Sequence, residues 1–465
     1  MNQVEVNFLM EKKQEIKMET NQLNVSRKNY VKSLLTIAVP IMLGNIISQV
    51  QMLVDKAFLG HVNEFYLSAL GNVSSPMWTS MSFCFTIVTG SSIIISQLVG
   101  AKKTEECESY AASLMLWTSV LPVILFFFWL FAGRYVLKAM GVTDNMMPIC
   151  LEYLRYFSPV VLVIGIESSS MVIMQTSNYT KPLVAFGLIR SLLNVVLDYI
   201  MIFGKFGCPA MGIKGAAIAT SISEYVGVSY SLLIFVRSKK LFTRPKLKNV
   251  LRASPVPFLK SVKIGINAAL EDFSWNLGNL ILIAILNSIN EKAAGIFSMI
   301  FGIELLVVVV IGAIGNATMT LSGEAIGAKD QRKYKYVCLI SLGLCFAVSF
   351  ALLIVCAVFP HQIVGIFTND QSVISTSTLY LMLMCINLFG KSGNIIAGNS
   401  IRGSGNTLWM LITQIFGSVE VILVALLFVK VFNWGIAGVF AAVLFDEFLR
   451  AGINFLKFCS IVRKI

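Results

Sequence analysis

Two aspartates, Asp55 and Asp198, each interrupt a long apolar run of the chain. A carboxylate at membrane depth is costly, so by default it faces a bundle interior or a wet cavity and carries function. Asn194 lies one turn before Asp198 on the same helical face, and Thr220 brings a hydroxyl in the following run. At about 1.5 Å per residue, Asp55 falls roughly 8 Å and Asp198 roughly 9 Å below the outer ends of their runs, with Thr220 about 12 Å down its own. Three helices would thus bring two carboxylates, an amide and a hydroxyl to a similar depth. Neighbouring carboxylates can hold a proton between them, and with both ionised the same oxygens could hold sodium. The alternative is a polar clamp between helices.

A second acidic set sits later in the chain. Glu271 and Asp272 fall about 17 Å along their run, and Glu304 with Asp446 and Glu447 about 17–18 Å along theirs, so all reach the midplane. They could form a negative wall for a lipophilic cation or a second protonation site. Adjacent residues point about 100° apart, so one of each adjacent pair would line a cavity. Arg450, one turn after Asp446, could neutralise it. Pro40, within an apolar run, removes a backbone donor and is a hinge candidate. Arg190 shares the face of Asn194 and Asp198 and is expected to snorkel to the interface.

The elements that must position these groups follow from composition. Of 465 residues 56% are hydrophobic and 13% charged, with mean hydropathy +0.78. A soluble domain carries about twice that charged share, so an all-α polytopic membrane protein is expected. Twelve apolar runs fall near 33–59, 67–99, 112–132, 149–177, 183–203, 212–236, 258–287, 293–326, 336–359, 372–399, 407–429 and 434–461.

Loops after even-numbered runs are the basic ones: Lys102 and Lys103, Lys181, the stretch Arg237, Lys239, Lys240, Arg244, Lys246, Lys248 and Arg252, then Lys329 to Lys335, and Arg402. Loops after odd-numbered runs hold fewer, such as Arg134, Lys205 and Lys292. This bias places both termini in the cytoplasm and accounts for most of the net charge of +13, so nucleic acid is not implied as a partner. Residues 1–30 hold charges and no apolar core, reading as a cytoplasmic tail rather than a signal peptide. The expected organisation is that tail, a first lobe over 31–236, a basic cytoplasmic linker at 237–257 and a second lobe over 258–465.

The halves read as copies. Gln97-Leu98-Val99-Gly100-Ala101-Lys102 aligns with Glu324-Ala325-Ile326-Gly327-Ala328-Lys329, and Ser177-Asn178-Tyr179-Thr180 with Ser404-Gly405-Asn406-Thr407, both at an offset of 227 residues. Gly212-Ile213-Lys214-Gly215-Ala216 resembles Gly435-Ile436-Ala437-Gly438-Val439. With six runs each, the copies enter from the same side, giving two pseudo-symmetric six-helix lobes around a central cavity. At that offset Asp55, Asn194 and Asp198 fall on Leu282, Val421 and Ala425, so the polar set exists in one copy only. A packing need common to both bundles would tend to keep the same chemistry in both, and the asymmetry favours function.

Over residues 30–460 the chain resembles the multidrug and toxic compound extrusion (MATE) transporters. Pro40, Val54-Asp55 and Gly60 look like that family's first-helix pattern, and Gln97-Leu98-Val99-Gly100-Ala101 its second-span ending. Asn194-Val195-Val196-Leu197-Asp198 with Phe203-Gly204 resembles the fifth span, and Gly215-Ala216-Ala217-Ile218-Ala219-Thr220 the start of the sixth. The resemblance implies an efflux antiporter driven by a proton or sodium gradient, with Asp55, Asn194, Asp198 and Thr220 at the cation-coupling positions. Asn267 departs from it, because many relatives have proline there.

Other chemistries find little support. The nine cysteines form no CxxC pair and read as apolar fillers, and two histidines provide no zinc site. Gly390-Lys391-Ser392 lacks the upstream glycine of a phosphate loop and lies in an apolar run. An intramembrane aspartyl protease would need a GxGD motif that neither aspartate has. A lipid-linked oligosaccharide flippase, the main rival, would call for a basic cavity where this chain buries mostly acids. The expectation is therefore a non-enzymatic multidrug exporter of amphipathic, cationic compounds, with no cofactor beyond its coupling ion. It would lie in the plasma membrane and act as a single copy.

Overall fold

The computed structural model describes residues 3–238, 240–242, 245–289, 293–366 and 371–465; Lys239, Arg244 and Lys292 of the charge pattern lie outside them. Twelve long helices follow one another: α1 (Gln3–Val62), α2 (Glu64–Gly100), α3 (Thr104–Ala139), α4 (Met147–Thr176), α5 (Lys181–Phe203), α6 (Ile213–Arg237), α7 (Pro255–Asn287), α8 (Ala293–Gly327), α9 (Gln331–Val358), α10 (Gln371–Gly403), α11 (Thr407–Val431) and α12 (Gly435–Val462). Among the described residues there is no strand. This is an all-α polytopic membrane protein. Eleven of the helices are long and apolar enough to cross a membrane on composition alone. The twelfth falls short because it carries Asp446, Glu447 and Arg450, and all three are buried inside the bundle rather than offered to lipid.

The stretch before residue 31, read as a tail, is a helical extension of α1. Its run of Glu, Lys, Gln and Met has high helix propensity, and nothing in it breaks the ladder. Prolines inside the spans shape the other helices. α1 continues through buried Pro40, whose missing N–H frees the carbonyl of Thr36; Thr180 Oγ1 donates to that carbonyl at 2.6 Å. Pro122, by contrast, interrupts α3 between Trp117 and Val120. Pro159 tightens Ser158–Val163 of α4 into a 3₁₀ turn. There Ser158 Oγ caps the carbonyl of Arg155 at 3.3 Å, and Ser221 and Tyr225 of α6 donate to the carbonyls of Tyr156 and Pro159. Lipid leaves backbone groups no water to turn to, and the carbonyls freed by Pro40 and Pro159 each find a hydroxyl.

The repeat extends to the backbone. Lys102 and Lys329, Asn178 and Gly405, and Phe206 and Asn433 are pairs 227 apart, and all six have positive φ, as do Gly212 and Gly435. Equivalent helices therefore end in equivalent left-handed turns. One apolar core runs through α2–α6 around Met77, Trp129 and Ile164. A larger one fills α7–α12 and also takes in Leu34, Ile37 and Ile41, so the early part of α1 packs on the second half.

The halves meet where α2 packs on α7 and α8. A Cβ on Gly327 would stand 1.8 Å from the Gln97 carbonyl oxygen, and one on Gly100 2.0 Å from that of Glu324. Gly90 and Gly265 make the same kind of backbone contact with Ser261 and Ile87. Between membrane helices apolar burial gives no drive to associate, and close backbone approach supplies the attraction. Polar ties flank this seam: Gln97 Nε2 donates to the Gly403 carbonyl at 2.8 Å, and Glu324 accepts from Asn178 at 2.9 Å and from Lys333 at 2.7 Å. Asn267, in the unbroken helix α7, donates to Thr407 Oγ1 at 3.0 Å.

Candidate functional site

In the first half, α1, α5 and α6 bring Asp55, Asn194, Asp198 and Thr220 together. Asn194 and Asp198 are both 0% exposed, on the face of α5 turned away from lipid. The amide of Asn194 donates to Thr220 Oγ1 at 3.3 Å, and that hydroxyl donates to the Ala216 carbonyl at 2.9 Å. The carboxyl of Asp55 lies against that of Asp198, with Gln51 also in reach. Ser191 Oγ fixes Gln51 by donating to its Oε1 at 2.7 Å.

Four buried oxygens of this group have no donor: Asp55 Oδ1, Asn194 Oδ1 and both oxygens of Asp198. Unpaired buried acceptors are expensive, and this many around one point call for a bound cation or proton. Carboxylate, amide and hydroxyl oxygens are hard ligands, matched to a proton or a small hard cation rather than to a soft metal. Sequence reasoning missed two neighbours. Gln51, one turn before Asp55, carried the i,i+4 signal that could have found it. Buried Tyr153 of α4, near both aspartates, had no such signal.

Arg190 does not snorkel. It lies inside the bundle, with Nη1 3.1 Å from Glu224 and 3.4 Å from Glu167 and Nη2 2.5 Å from Ser48 Oγ, while Phe186 covers its face. Two carboxylates and a hydroxyl hold its two terminal nitrogens where the interface would offer only water.

The second acidic set separates into two places. Glu304 and Asp446 line one recess of the second half together with Glu447, whereas Glu271 forms an ion pair with Arg402 and stays outside it. Asp272 is exposed on α7 and has no ion-pair partner among the described residues. The recess is not simply negative, because it also holds Lys391 and Arg450. Lys391 Nζ lies 2.8 Å from Glu304 and 3.8 Å from Glu447; Arg450 pairs with Asp446, lies 3.5 Å from Glu447 and donates to Gln414 at 2.8 Å. Asn387 donates to Glu304 at 3.1 Å and Asn394 to Glu447 at 2.9 Å. The lysine of Gly390-Lys391-Ser392 is thus a buried counter-ion on an intact helix.

Residues 40–200 and 268–451 match the sequence model of the MatE family. The chain is 27% identical over 444 residues to the "Probable multidrug resistance protein NorM" of Thermotoga maritima, covering 92% of each. It is 25% identical over 415 residues to the "Uncharacterized transporter YisQ" of Bacillus subtilis, 87% of this chain and 89% of that one. A solved structure described as "Crystal structure of MATE in the bent conformation" superposes with a TM-score of 0.86 at 19% identity, over 94% of this chain and 96% of that one. A second, an "Outward-facing conformation of a multidrug resistance MATE family transporter of the MOP superfamily", gives 0.85 at 20% identity, over 93% and 96%.

Proposed function

The chain belongs to the MatE family, and from that premise we propose that it is a multidrug exporter. It would exchange amphipathic aromatic compounds carrying a positive charge for protons or sodium ions, by alternating access. The observation that carries the coupling reading is the set of donor-free oxygens on Asp55, Asn194 and Asp198. Asp55 and Asp198 sit on different helices, so an ion held between them draws α1 and α5 together and changes the relative stability of the two access states. Such a difference is what an ion must make to drive exchange.

The Lys/Arg bias favours a cytoplasmic linker side with both termini there, in a plasma membrane. On that assignment the seam between α2 and α8 is a closed cytoplasmic gate, and the arrangement described is the one sealed from the cytoplasm. The recess of the second half, with aromatic walls and charged groups, is the candidate substrate site.

Transport in proteoliposomes with independently set pH and sodium gradients tests this. Export of a fluorescent amphipathic dye should follow one of the two gradients and stop when that gradient is collapsed. Dye movement indifferent to both would remove the antiport reading.

A further inference from the structure

Resting on the exporter reading above, we infer that Lys391 is a specificity-determining residue: a tethered counter-cation that makes the recess of the second half select zwitterionic planar aromatics over permanent monocations of the same ring system.

The recess is lined by α7, α8, α10, α11 and α12. Its charged lining is three acids, Glu304, Asp446 and Glu447, and two bases, Lys391 and Arg450. All three acids are already engaged. Asp446 is held by Arg450, Glu304 by Lys391 and Asn387, and Glu447 by Asn394. An incoming cation reaches Glu304 only by displacing an ammonium that is 7% exposed, and separating a buried pair is costly.

Two groups remain unspent. Lys391 makes one hydrogen bond, at 2.8 Å to Glu304, with Glu447 3.8 Å away, and an ammonium has three donors. Asn387, 4% exposed, has an Oδ1 with no partner at all. A charged donor and an orphan acceptor on successive turns of α10 therefore line the same recess, and together they match a ligand carrying an anionic acceptor and an N–H donor. The walls suit a flat ring. Phe301 lies 5.9 Å from Lys391 Nζ and stacks on Phe297, with Trp275 6.2 Å from Phe301. Replacing Lys391 with an apolar residue would leave Glu304 without its counter-ion and turn the preference towards a cation.

The test uses one fluorophore in two charge states: a rhodamine carboxylic acid, zwitterionic at neutral pH, and its methyl ester, a permanent cation. Binding of each to the purified full-length protein is read by fluorescence polarisation, and export in proteoliposomes. The wild type should favour the acid, Lys391→Met should lower the acid-to-ester affinity ratio at least tenfold, and Lys391→Arg should preserve it. Glu304→Gln, which frees the ammonium, should raise the ratio and decides the matter should Lys391→Met fail to fold. If both dyes are bound and exported but neither Lys391→Met nor Glu304→Gln moves the ratio, the role of Lys391 is overturned and efflux stands. If the wild type exports neither dye, the exporter reading falls and this inference falls with it.

Discussion

The two halves share a backbone plan, yet the carboxylates of Asp55 and Asp198 in the first and those lining the recess of the second are met in different ways. In the first, Asp198 lies fully buried with both oxygens lacking a donor. In the second, the positions 227 residues on from Asp55, Asn194 and Asp198 are Leu282, Val421 and Ala425, all packed in the apolar core. The carboxylates lining that half's recess are held by Lys391 and Arg450. The donor-free oxygens of the first half are a candidate ion site, whereas the carboxylates of the second half's recess already have partners.

The comparison goes further in the middle layer. Glu167 is followed 227 residues later by Asn394 and Arg190 by Gly417, while Glu224 and Glu447 correspond at the offset of 223 set by Gly212 and Gly435. Both halves thus place a glutamate of the last helix beside a guanidinium, but α5 supplies it in the first and α12 in the second. Gly417 is what permits the exchange, since a Cβ there would stand 2.5 Å from Arg450.

The largest test of this contrast lies in the donor-free set. Asp55→Asn and Asp198→Asn should each reduce gradient-driven efflux at least about a hundredfold, because an amide cannot carry the coupling charge. Binding of substrate in detergent should survive, and by linkage the ion dependence of that binding should vanish. Both variants transporting at wild-type rates would make these carboxylates structural contacts. Next, Arg190→Met should destabilise the protein by about 3 kcal/mol in chemical unfolding, since it leaves Glu167 and Glu224 buried without a cation. A loss under about 1 kcal/mol would mean that the network is worth no more than a surface pair.

Gly417→Ala should cost about 2 kcal/mol by crowding Arg450, an overpacking effect with no parallel at Arg190. An unchanged unfolding curve would show that Arg450 has room to move. The smallest effect concerns the proline of α1. Thr180→Val should cost about 1 kcal/mol, the worth of the hydrogen bond to the Thr36 carbonyl. Adding Pro40→Ala should restore most of it, because alanine returns the helix's own N–H to that carbonyl. Additive losses in the double variant would break the link between the two residues.

The sequence carries the first half's site better than the second's for a physical reason. Asp55, Asn194 and Asp198 are polar residues in apolar runs, and depth alone marks them as a candidate site. Glu304 and Glu271 stand out in the same way, but their partners Lys391 and Arg402 come from a helix distant in sequence, and pairing decides whether an acid is free. Arg190 is misread for the same reason: snorkelling assumes that nothing inside the bundle is better than water, and Glu167 and Glu224 are. The span pattern and repeat are legible because hydropathy and turn residues are local. The packing of early α1 on the second half is long-range and leaves no local trace.

The seam between α2 and α8 has a consequence for how the two copies can diverge. Gly100 touches the backbone of Glu324, Gly327 that of Gln97, and the two contacts are images of each other under the repeat. A joint that is its own mirror partner ties both copies to one specification, since a side chain added on either strand of it pries apart the same interface. Asp55, Asn194 and Asp198 touch no counterpart, and there one copy could lose its carboxylates while the other kept them. Self-pairing explains why a glycine stands at this joint in both halves, whereas the aspartates stand in one.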